Sequence, residues 1–170
     1  MNIQSQTCNL KPATLQVLVI GYGNTLRSDD GVGQAVVERV KAWNLPNVQV
    51  LTVHQLTPEL AEPLSNADLA IFVDAYPADF EQEVQVCPLE PASSGWTMGH
   101  TSAPKGLLAI AQALYNYYPQ AWLVAIPAQN FELGYSLSLL AEQGMEEALN
   151  IIDELIREAL ALPRNRSSIQ

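Results

Sequence analysis

Five β-like runs separated by helical patterns are the feature that most constrains this chain. They are LQVLVI (15–20), VQVLTV (48–53), DLAIFVDA (68–75), VQVCPL (84–89) and AWLVAIPA (121–128). A strand covered on one face alternates apolar and polar residues; one covered on both reads as a nearly continuous apolar run. Runs one, three and five are of the continuous kind, while two and four alternate more and suit less buried positions. Between them, 33–43 places Val36, Val37, Val40 and Trp43 on one helical face, and 105–117 aligns Leu107, Leu108, Ala111 and Leu114. The longest helix is expected over 138–162. Met145, Leu149, Ile152, Leu155, Ile156 and Ala159 form its buried stripe, with Glu142, Glu146, Glu147, Asp153, Glu154 and Glu158 mostly on the wet side. Strands alternating with helices predict an α/β fold, a three-layer α/β/α sandwich.

Composition bounds what such a domain can do. The 170 residues are 48% hydrophobic and 15% charged, which predicts one domain over 15–162, with a flexible arm at 1–14 and a polar tail at 163–170. The net charge of −10 repels phosphate backbones, so nucleic acid is not expected as a partner. No apolar run reaches the ~18 residues of a membrane span. The opening MNIQSQTCNLKPATL lacks the apolar core of a secretory signal, so a cytoplasmic protein is expected. Cys8 and Cys87 form no metal-ligand pair and read as reduced thiols.

The stretch LVIGYGNTLRSDDGVGQAVVERV (18–40) concentrates the chemistry. Gly21 and Gly23 start a dinucleotide fingerprint, but Leu26 stands where the third glycine belongs. Asp29 and Asp30 would also repel a pyrophosphate at the helix start. Ser28, Asp29 and Asp30 equally suit a plain helix cap. Asp74 is expected at the carboxyl end of the third strand, an end that borders the binding crevice of open α/β sheets. Of the two histidines, His54 leaves the second run and His100 precedes the helix at 105–117. Carboxylates and imidazoles at strand exits make a mixed nitrogen and oxygen site for a divalent transition metal. No G-x-S-x-G elbow, H-E-x-x-H helix or paired cysteine is present, so a hydrolase of this sequence needs a metal to do the activating.

In this order and spacing, GYGNTLRSDDGVGQAVVERV, AIFVDA, GHTSAPKGLL and IPAQNFELGYSLS resemble the hydrogenase maturation endopeptidases, over about residues 15 to 160. The resemblance implies removal of a C-terminal extension from a [NiFe]-hydrogenase large-subunit precursor after nickel insertion. It also implies an α/β/α sandwich around a five-stranded, mostly parallel (mixed) sheet with one antiparallel strand. The family's two acids and one histidine, thought to bind or sense nickel, fall on Asp30, Asp74 and His100. Two departures stand out. Asp29-Asp30-Gly31 replaces the commoner Asp-Glu-Gly, shortening the carboxylate by one carbon–carbon bond, about 1.5 Å. His54-Gln55-Leu56 replaces a glycine-containing acidic turn, which looks like the branch serving the bidirectional, NAD-linked hydrogenases of cyanobacteria.

The resulting expectation is that Asp30, Asp74 and His100 complete the coordination of nickel carried by the substrate. Asp29 would serve as a general base, and His54, Gln55 and Leu56 as the substrate-recognition turn, His54 being alternatively an extra ligand or a hydrogen-bond partner of a carboxylate. The partner is then the large-subunit precursor, met by a monomer. Two rivals remain open: a docking or nickel-sensing module that cuts nothing, and a phosphohydrolase holding Mg²⁺ on Asp29, Asp30 and Asp74.

Overall fold

The computed structural model describes residues 14–79, 82–93 and 103–161. The tail at 163–170 and all of the expected N-terminal arm but Thr14 lie outside them. Strand β1 (Val17–Tyr22) leads through a single 3-10 turn (Ser28–Gly31) into helix α1 (Val32–Lys41) and strand β2 (Val48–Val53). Helix α2 (Ala61–Asn66) precedes strands β3 (Leu69–Pro77) and β4 (Gln85–Leu89). Helix α3 (Pro104–Tyr115), strand β5 (Gln120–Ala128) and the long helix α4 (Leu139–Ala161) follow.

The sheet runs β2-β1-β3-β5-β4. β1 pairs in parallel with β2 and β3, β3 pairs in parallel with β5, and β4 runs antiparallel to β5. This is the mixed five-stranded sheet expected, and the two more alternating runs are its edges. Sheet parity sorts the core into two layers. Val17, Val19, Ile71, Val73, Val124 and Ile126 face α1 and α4, while Leu18, Ile20, Ala70 and Phe72 face α2 and α3. Asn116, at φ 52°, ends α3 in the left-handed conformation that asparagine tolerates.

Three details depart from expectation. Leu114 is 68% exposed, because the buried face of α3 ends at Ala111. α2 was not legible as a helix, since its six residues, AEPLSN, are too few to display a 3.6-residue period. β3 continues to Pro77, so Asp74 lies inside the strand, paired with Ala125, and not at its end.

This topology positions the site. From β1 the chain crosses to β2 on one side, then returns to β3 on the other. The carboxyl ends of β1 and β3 therefore border the switch point of the sheet, where open α/β folds leave a crevice.

Candidate functional site

Glycines bring the acidic turn down onto that crevice. A Cβ on Gly33 would stand 2.4 Å from the Val73 carbonyl oxygen and 2.8 Å from that of Tyr22, so only glycine lets α1 start directly over β1 and β3. Gly21 faces it, with a would-be Cβ 2.1 Å from the Gly33 oxygen. Close helix-to-strand packing is thus supplied by Gly33, not by the fingerprint position at Leu26. Gly23, at φ 129°, turns so tightly that a Cβ would meet the Asp30 oxygen at 1.9 Å.

The three acids then separate by role. Asp30 is half-buried, and its Oδ2 accepts a 2.8 Å hydrogen bond from the Asn24 backbone N–H. Asp74, also half-buried, follows the Gly21–Val73 pair of the β1–β3 ladder. Burial is the main force pushing its carboxyl up to about 6; hydrogen bonds from the Tyr22 hydroxyl and the Ala75 N–H oppose the rise, and the charge of Asp30 adds to it. Tyr22 responds in kind: burial first and the Asp74 charge second push its phenol well above the ordinary value. The charge of Asp30 thus adds, as the smallest of these causes, to the rise at Asp74.

Asp29 does not join them. It has no exposed surface, and its Oδ2 accepts from Gln129 N (3.0 Å), Asn130 N (2.9 Å) and Ser138 Oγ (2.7 Å). Its Oδ1 accepts from Ser138 N at 2.6 Å. Burial alone would raise its pKa, but these bonds outweigh it and hold the carboxyl below the ordinary value. A carboxylate sealed on both oxygens cannot take a proton from a substrate, so the expected general-base role is corrected to a structural one. Nor do Asp29 and Asp30 cap their own helix, since neither the 3-10 turn nor α1 has a side-chain cap. Asp29 instead orders the start of α4, where Ser138 Oγ accepts from Ala141 N at 3.2 Å.

The same segment is stitched to the acidic turn along its length. Ser28 N donates to the Gly134 oxygen and Gly134 N to the Leu26 oxygen, both at 3.0 Å. Arg27 Nε donates to the Phe131 oxygen at 3.1 Å, and buried Ser28 Oγ to that of Glu132 at 3.1 Å. Sequence reading missed Ser138 and the whole 129–134 anchor, because their partners lie a hundred residues away.

Of the expected recognition turn, His54 and Gln55 are exposed, and the His54 carbonyl accepts from Gly23 N at 3.3 Å. Leu56 is 3% exposed and belongs to the core beneath α2 and α3, so its expected recognition role is corrected to packing. His100 lies outside the described residues. Helix α3, which follows it, starts at the carboxyl end of the sheet, because β5 after it begins at the amino end beside Leu69. Among the described residues, no group of three or more His, Cys, Asp or Glu is placed to hold a metal ion. Asp30 and Asp74 by themselves could supply only part of a metal's coordination.

No protein-family model matches the chain, and no curated protein matches it. Solved structures do. The [NiFe] hydrogenase maturation protease HybD from Thermococcus kodakarensis is 22% identical with a TM-score of 0.66, over 83% of this chain and 99% of that one. The hydrogenase maturating endopeptidase HybD from E. coli is 22% identical with a TM-score of 0.67, over 85% of this chain and 94% of that one. The [NiFe] hydrogenase maturation protease HycI from Thermococcus kodakarensis KOD1 is 21% identical with a TM-score of 0.66, over 85% of this chain and 94% of that one. At such identities, the likeness establishes the fold that this chain shares with them.

Proposed function

We propose that this protein is an endopeptidase that removes the C-terminal extension of a [NiFe]-hydrogenase large-subunit precursor, recognising the precursor by nickel already inserted in it. The observation that carries the reading is the placement of Asp30, in the turn after β1, and Asp74, in the adjacent β3, at the switch point of a fold shared with hydrogenase maturation proteases. Two carboxylates with an unfilled coordination requirement suit a metal that arrives with other ligands attached. His100 is the third donor in this reading.

Nickel, as part of the substrate, would supply Lewis-acid polarisation of the scissile carbonyl or the address alone. The chain's own residues do the rest. Burial holds the Asp74 carboxyl up to about 6, so it is mostly ionised at neutral pH, and a cation would stabilise that carboxylate further. Asp30 is held by the Asn24 N–H. Asp29 and Ser138 keep the acidic turn and the start of α4 in register. Exposed His54 and Gln55, beside the Gly23 turn, are the surface that selects the cognate hydrogenase, which this reading assigns to the NAD-linked kind.

The test is incubation with purified large-subunit precursor, nickel-loaded and nickel-free, followed by intact-mass measurement. Loss of a C-terminal peptide from the nickel-loaded form alone is expected. Binding without a mass change would assign a docking module instead, and neither binding nor cleavage would end the hydrogenase reading.

A further inference from the structure

Gln34, in the first turn of α1, uses both amide hydrogens at once. Its Nε2 donates to the Gly23 carbonyl at 2.7 Å and to the Val53 carbonyl at 3.0 Å. Both partners can only accept, so the nitrogen must face them. The Gly23 carbonyl belongs to the same planar peptide unit as the Asn24 N–H, and that N–H is the one holding Asp30 Oδ2. Fixing the carbonyl therefore aims the N–H. Gly23 has no side chain to pin this turn, and glycine is the residue with most freedom to lose it. The second hydrogen bond reaches the residue before His54, whose own carbonyl accepts from Gly23 N.

We infer that Gln34 is a positioning residue: by locking the Gly23–Asn24 peptide it sets the carboxylate of Asp30 and ties it to the exit of β2 at His54. The inference rests on the reading of Asp30 as a contact to substrate-bound nickel, and it deepens that reading by naming the side chain that aims the contact. Groups that orient a metal contact without touching the metal typically alter affinity about 10- to 100-fold when removed.

The test uses the full chain with Gln34→Leu, which keeps bulk and removes both donors. Hydrogen exchange at the Asn24 amide reads the local lock, and the ratio of affinities for nickel-loaded and nickel-free precursor reads its consequence. Exchange at Asn24 should accelerate about tenfold or more while β3 amides stay protected, and the nickel preference should fall about tenfold. Gln34→Asn, one methylene too short to span both carbonyls, should show both changes in smaller measure, and it carries the test if the leucine variant does not fold. Unchanged Asn24 protection in a folded variant overturns the inference. So does acceleration spread evenly over the sheet, which a merely stabilising residue would produce. If the unaltered protein shows no nickel preference, the proposed function falls, and Asn24 exchange alone decides the part played by Gln34.

Discussion

Asp29 and Asp74 show how two carboxyls of one chain are driven in opposite directions. Four donors converge on Asp29, so replacing it with asparagine turns an amide NH₂ toward groups that need an acceptor. Asp29→Asn should cost about 3 kcal/mol in urea unfolding. Its folded pKa lies below its ordinary value of 3.8, so its stabilisation is present above that value and is lost as pH falls through the folded pKa. Asp74 is the reverse. Its carboxyl titrates at about 6 when folded against 3.8 ordinarily, so the folded state binds the extra proton between those values. Stability from this group is full below pH 3.8 and lost as pH rises through 6. The penalty above that is up to about 3 kcal/mol. Asp74→Asn should therefore leave a folded protein whose stability gain over wild type grows from pH 4 to pH 6 and then levels, while processing collapses. A flat difference across that range would overturn the raised pKa, and normal processing would leave Asp74 a strand acid with no part in the reaction.

At the scale of elements, the site depends on how closely α1 can sit on the sheet. Gly33 meets the Val73 and Tyr22 carbonyls, which are backbone atoms with no rotamer to yield. Gly33→Ala should cost about 1–3 kcal/mol by urea titration and lift the Asp30 turn away from Asp74. Processing should accordingly fall further than the stability loss accounts for. A variant with normal processing would mean the acid pair tolerates a shifted helix. The segment 129–138 is the other support, because it reaches back from the exit of β5 to the 26–29 turn and on to the start of α4.

Across the whole molecule, the turn after β2 divides inside from outside within three residues. His54 and Gln55 face solvent, whereas Leu56 sits in the core with Leu64 and Phe72. His54→Ala should leave the denaturation midpoint unchanged and slow processing of the cognate precursor severalfold. Leu56→Ala should cost about 2–5 kcal/mol and lower activity only through the unfolded fraction. Abolished cleavage in His54→Ala would move His54 into the coordination shell. No helix among the described residues is long and apolar enough to cross a membrane.

The sequence by itself determined the five strands, three of the four helices and the α/β class, because strand and helix periods are written in neighbouring residues; α2, with six residues, shows no period. It also marked Asp29, Asp30 and Asp74 as acids near the crevice, although Asp74 lies inside β3 and not at its end. What it left open was which of two adjacent aspartates faces the crevice. That depends on donors at Gln129, Asn130 and Ser138, supplied from the far end of the chain once β5 lies beside β3. Leu56 was misread for a similar reason: a single apolar residue beside two polar ones carries no period, and only the arrival of α2 and α3 buries it. Gln34 is not one of the candidate site residues or buried-face positions that the sequence singles out. Its role exists only where the turn after β1 and the end of β2 present two carbonyls within reach of one amide. Local pattern carries local structure; the partners of a buried charge or a clamping amide are set by contacts that form only when the chain closes.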